Sequence, residues 1–145
     1  MSNKIDRLKA LANELSSYEI DRKKNQKRLK ELFNTLELYS KVEDFEKIFE
    51  FKAMNLSGIS LNNSSLGEIS EGKYAQIIAI IYAEEEGKKR AKNVNLRYFG
   101  RVEKLDEELK RDIIEFVLRW RLEKSFLGVD HYKKMIKELI KEESA

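Results

Sequence analysis

The stretch Lys73–Leu109, KYAQIIAIIYAEEEGKKRAKNVNLRYFGRVEKLDEEL, decides how the whole chain is read. Its first half places Tyr74, Ile77, Ile78, Ile81 and Tyr82 at i, i+3, i+4 spacing, with Ala75, Ala79 and Ala83 between them. That spacing predicts a helix over Lys73–Lys92 with one broad apolar face. Three acids then precede three bases by four residues: Glu84 and Lys88, Glu85 and Lys89, Glu86 and Arg90. This is the favourable order for exposed helical pairs, and the cations fall where a helix dipole favours them. Asn93 or Asn95 then reads as the cap of a second helix, Leu96–Leu109. Its buried stripe would be Tyr98 or Phe99, Val102, Leu105 and Leu109.

Outward from this stretch the same period recurs. Ile5, Leu8, Leu11, Ala12 and Leu15 read as an amino-terminal helix, with Ser2 or Asn3 as its cap. A second stripe runs from Leu29 through Leu32, Phe33, Leu36, Tyr39, Val42, Phe45, Ile48 and Phe49. No apolar residue separates Ile20 from Leu29. We therefore expect a hinge there and an antiparallel pair of helices, which buries the stripe better than one exposed rod. Residues 55–72, NLSGISLNNSSLGEISEG, are rich in Ser, Asn and Gly and too long for an ordinary connection. Leu56, Ile59, Leu61, Leu66 and Ile69 would pin the loop in part to the body. Arg111–Phe126 reads as another helix, Gly128 as its stop, and His131–Lys141 as the last helix.

The composition agrees with helices: 145 residues without a single Pro, six Gly, and 38% charged side chains. The expected fold is all-α, a single-domain bundle of five or six helices over residues 1–145. Residues 1–54 form the amino-terminal helices, 55–72 a long Ser/Asn/Gly-rich loop, and 73–145 the carboxyl-terminal helical core.

Chemistry is sparse. The chain has no Cys, so disulfides and thiolate sites are excluded. His131 is the only histidine, and no HExxH, paired ExxH or phosphate-binding Gly loop occurs. The expectation is a non-enzyme without metal or cofactor. The longest apolar run, Ile77–Ala83, is far below the ~20 residues that span a bilayer. A cytoplasmic protein with no membrane partner is expected. Net charge is only +3, so affinity for a polyanion must come from local patches. One is Arg22–Lys30, with six cations and no acid. The other is Gly87–Val102, where Lys88, Lys89, Arg90, Lys92, Arg97 and Arg101 precede the first acid, Glu103.

The segment Tyr82–Leu105 resembles the core motif of the small helical subunit of type III, Csm-type CRISPR effector complexes. An acidic-Gly-basic stretch leads through a polar turn, here Asn93-Val94-Asn95, to an amphipathic helix opening with Leu96-Arg97 and Phe99. Residues 74–140 share the family's pattern. The resemblance implies a non-catalytic RNA-binding assembly subunit of a ribonucleoprotein for antiviral defence. It would contact the backbone of a guide–target duplex, other subunits, and further copies of itself along a filament. Carried over by position, Lys88, Lys89, Arg90, Arg97 and Arg101 become RNA contacts; Lys92 lies in the same run, and Arg119, Arg121 and Lys124 follow downstream. The alternative reading is a viral or archaeal protein-interaction module that regulates a larger machine such as a polymerase.

Overall fold

Isoleucine is a better strand former than helix former, and the chain uses it so. In the computed structural model, which describes residues 3–144, the deciding stretch is an antiparallel hairpin. Strand β2 covers Tyr74–Glu85 and strand β3 covers Lys88–Arg101. The two expected helices, 73–92 and 96–109, are therefore overturned, and with them the all-α bundle. The acid–base series falls across two strands instead of along a helix: Glu85 lies opposite Lys88 and Glu84 opposite Lys89. The turn consists of Glu86 and Gly87, both at positive φ (52° and 77°). A two-residue turn of that kind matches the twist of the strands it joins.

Strand β1, Ala53–Ser57, adds to the other side of β2, giving a three-stranded sheet in the order β1-β2-β3. Its last three residues belong to the segment expected to be loop. The rest of that segment folds back on itself through an isolated Ile59–Ile69 bridge, with Ser70 N–H bonded to Gly58 O at 3.0 Å. Gly58 has φ +85°, and a Cβ there would stand 2.7 Å from Val102 Cγ1 and 2.8 Å from the Tyr74 carbonyl oxygen. The backbone carbonyl cannot retreat without breaking the sheet. Gly58→Ala should therefore destabilise the protein by about 1–3 kcal/mol. Urea unfolding would read it, and an unchanged midpoint would contradict this account of the loop.

Two helices flank the sheet. Helix α1 runs unbroken over Lys4–Thr35, so the expected hinge is absent. Asn3 caps it by accepting from Asp6 N–H at 2.8 Å; Ser2 lies outside the described residues, as does the side chain of Leu15. Two short 3-10 turns, Leu38–Ser40 and Phe45–Glu50, carry the chain to β1. Helix α2 runs over Glu107–Ser144 and merges the two expected carboxyl-terminal helices. Gly128 sits inside it and stops nothing, because one exposed glycine weakens a helix by only ~1 kcal/mol. Asp106 supplies the cap, accepting from Leu109 N–H at 2.7 Å.

The helices are antiparallel: Tyr18 meets Phe126, Asn25 meets Arg119, and Arg28 meets Glu115. The gap in the α1 stripe is filled by this polar seam, which explains why the helix continues without apolar residues there. Bonds from Arg28, and then from Arg119, hold the Glu115 carboxyl below its ordinary range against the opposing effect of desolvation. The core lies where the helices meet the sheet. Leu29, Leu32, Phe33 and Leu36 from the α1 end pack with Ile113, Phe116, Val117 and Trp120 from α2, over Met54, Ile77, Ala79 and Leu96.

Candidate nucleic-acid interface

A strand sends alternate side chains to opposite faces. In β2, Ala75, Ile77 and Ala79 are buried against the helices. The other set, Tyr74, Gln76, Ile78, Ile80 and Tyr82, faces away. Register gives this outer face its remaining members. Tyr98 lies beside Gln76, Asn95 beside Ile78, and Asn93 beside Ile80. From β1, Asn55 lies on the other side of Ile78. Two register shifts in β3 leave Leu96 and Phe99 without a partner on β2. These bulges let Leu96 and Phe99 turn to the core while Tyr98 stays outside.

The outer face is open. Tyr74, Tyr82 and Tyr98 are 46%, 56% and 52% exposed. Tyr74 and Tyr98 lie 5.2 Å apart at 35°, a tilted pair with free ring surface. Partial desolvation, and then the Tyr74 hydroxyl, raise the Tyr98 phenol above its ordinary value. Gln76 Oε1 accepts from Asn95 Nδ2, so the amides between the rings are oriented. Lys52 Nζ stands 5.7 Å from the Tyr82 ring centre. Flat aromatic surface, oriented amides and cations at the margin together form a platform on which unpaired bases can stack.

The cations singled out in the sequence divide into two groups. Lys88, Lys89 and Arg90 project from the tip of the hairpin, all exposed, and among the described residues they make no ion pair. Lys92 pairs with Glu85. Arg97 is engaged internally: it donates to Leu36 O, lies 4.8 Å from the centre of the Phe99 ring, and approaches Glu37 at 3.7 Å. It thereby ties the end of α1 to the sheet. Arg101 lies opposite Tyr74 and 3.3 Å from Glu103. Glu103 is itself held below the usual carboxylate range by the Gly72 N–H and then by Arg101. Neither Arg97 nor Arg101 stands on a helix edge.

Arg119, Arg121 and Lys124 serve the fold. Arg119 bonds Glu115 at 2.6 Å and Asn25 at 3.1 Å in the helical seam. Arg121 donates to Met54 O at 3.0 Å and to Asn55 Oδ1 at 3.2 Å, fastening α2 to β1. Lys124 donates to Phe49 O; burial, and then Lys52, lower its pKa. The Arg22–Lys30 patch is split as well, since Arg22 and Arg28 are paired across the seam.

A helical period puts Tyr74 and Tyr82 in the core. Only a strand period sends them outward, so the platform is hidden from the helical reading. His131 is exposed beside Tyr132, their rings 5.6 Å apart. Among the described residues no group of three or more His, Cys, Asp or Glu is placed to hold a metal. No described helix is long and apolar enough to cross a membrane. None of the family models, curated proteins or solved structures compared with the chain matches it.

Proposed function

We propose that the protein is a non-catalytic RNA-binding module that receives a single-stranded segment on the open sheet face. Bases stack on Tyr74, Tyr98 and Tyr82, and the hairpin cations Lys88, Lys89 and Arg90 neutralise phosphates beyond Tyr82. The observation that carries this reading is the set of three exposed tyrosines on one sheet face, with Lys88, Lys89 and Arg90 of the same hairpin lying beyond Tyr82, across from Glu84 and Glu85. Stacking tolerates any base and cations read no sequence, so binding should be weakly selective. The narrower reading, a subunit of a CRISPR-type ribonucleoprotein, is supported by the acidic-Gly-basic sequence alone. The helices that the family resemblance implied are strands here.

Titration of a fluorescent oligouridine by anisotropy tests the proposal. Stacking contributes roughly 1–3 kcal/mol per base. Tyr74→Ala with Tyr98→Ala should therefore weaken binding by at least about tenfold, with the circular dichroism spectrum unchanged. Reversal of Lys88, Lys89 and Arg90 to Glu should also reduce the slope of log affinity against log salt, by about 0.7 for each phosphate no longer neutralised. Equal affinity of parent and tyrosine variant would sink the platform, and an unchanged salt slope would sink the role of the tip. The alternative, a module that docks on another protein, is favoured by one feature only, the apolar surface of the helical arm.

A further inference from the structure

Strand β1 accompanies β2 only as far as Ile80, so beyond it β2 and β3 run on as a two-stranded ribbon. The pair that closes a two-residue turn exchanges both of its backbone bonds, and bonded and non-bonded pairs alternate from there. Glu85 and Lys88 are the closing pair, so Ala83 with Arg90 and Ile81 with Lys92 are bonded in the same way. Lys89, Ala91 and Asn93 therefore aim their N–H and C=O groups away from β2. No backbone contact outside the strand ladders takes them up among the described residues, and all three residues are exposed. The bulge at Leu96 ends the row. Residues 88–95 are thus a regular strand edge with its hydrogen-bonding groups unserved.

We propose that this edge receives an extended acidic segment of a partner protein, which adds to the sheet as a fourth strand beside β3. The site is separate from the tyrosine face and does not rest on what binds there. The backbone selects a polypeptide: alternating N–H and C=O groups are matched by another strand, whereas phosphates accept hydrogen bonds and leave the carbonyls of β3 unserved. Charge selects acidic side chains. Lys88, Arg90 and Lys92 share one face of the strand, and Lys89 lies on the other. A strand laid on the edge meets these cations at one strand spacing, about 5 Å, and meets Glu84 and Glu85 of β2 only at two. Lys92 is engaged by Glu85, while Lys88, Lys89 and Arg90 make no ion pair among the described residues. Acids at alternate positions of the incoming strand would fall across from Lys88 and Arg90, and opposite charges so placed stabilise a ladder. A second copy is a poorer occupant, because its β3 carries no acid to offer.

A fluorescent, end-capped peptide of four Val-Glu repeats, titrated with the full chain by anisotropy, tests this. It should bind, and a Val-Lys peptide of the same length should bind at least about tenfold more weakly. Ala91→Pro removes an outward donor without touching a bond to β2 or a charge, at an edge position where a strand tolerates proline. It should weaken the Val-Glu peptide at least about tenfold and leave oligouridine affinity unchanged. Modified peptides make the same test on the parent chain. With Glu across from Lys88 and Arg90, the Val residues are the ones that bond Lys89, Ala91 and Asn93. Methylating the Val nitrogens should abolish binding, and methylating the Glu nitrogens should preserve it, with charge identical in both. Equal affinity for the two methylated peptides, or an Ala91→Pro chain that binds as the parent does, would reduce the effect to charge attraction and overturn the proposal. Equal binding of the Val-Lys peptide would overturn the acidic partner. A dimer of the parent chain that Ala91→Pro abolishes would give the edge to a second copy and overturn it as well.

Discussion

Replacing Arg22 by Met should destabilise the protein by about 3–5 kcal/mol. The cause lies on the opposite helix. Glu123 is 1% exposed, and its Oε1 accepts from Arg22 Nε at 3.0 Å and from Gln26 Nε2 at 2.9 Å. Its Oε2 has no partner among the described residues. Arg22 is the cation that neutralises this carboxylate, and the same guanidinium reaches Asp130 further along α2. Without it, a buried charge remains with one amide for company. Removing both charges is a different matter. Arg22→Met with Glu123→Leu should recover most of the loss, because the desolvation cost of both ions disappears together. Urea titrations of the two variants give the comparison. A single variant within about 1 kcal/mol of the parent would show that Glu123 finds relief elsewhere.

The second large effect is at Trp120. The indole is 2% exposed, and its N–H donates to Ile48 O at 2.7 Å. It therefore fills the core and also satisfies a carbonyl of the 3-10 turn that precedes β1. Lys124 Nζ lies 5.4 Å from its ring centre. Trp120→Ala should cost about 3–5 kcal/mol through the cavity it leaves. Trp120→Phe keeps most of the packing and strands the carbonyl, so about 1–3 kcal/mol is expected. Circular dichroism must follow both, since the only tryptophan is the residue removed. Equal losses in the two variants would mean that the hydrogen bond carries the whole effect.

Sequence periodicity identifies the core here better than it identifies the shape around it. Leu29, Leu32 and Phe33 lie buried on one helix and Ile113, Phe116, Val117 and Trp120 on another, as their spacing predicts. The hairpin is illegible to a helical template because two periods coincide in it. Ile77, Ile78 and Ile81 satisfy a helical stripe, while Ala75, Ile77 and Ala79 satisfy an alternating one. The acid–base series is equally ambiguous, since a tight turn at Glu86-Gly87 brings the same residues together across strands. What decides is remote. Strand β1 is concealed in part in a Ser- and Asn-rich segment, and β2 gains its second neighbour only there. Signals for the strand are present in the β-branched content and in a glycine flanked by opposite charges. The tyrosine face shares this fate: a helical period leaves either Tyr98 or Phe99 in the buried stripe, and Tyr74 and Tyr82 turn outward only once the period is two.

Strand β3 has a neighbour on one side only, so one edge of a 14-residue strand stays open. An open edge of that length is a template on which another molecule's strand can pair, and repeated pairing leads to aggregates. The bulges at Leu96 and Phe99 interrupt the template, and the exposed cations Lys88, Lys89 and Arg90 repel those of a second copy brought alongside. The basic run thus guards solubility whether or not phosphate ever reaches it. Removing its charge would expose the edge, which is why the hairpin is better probed by reversal to Glu, where mutual repulsion survives with the opposite sign.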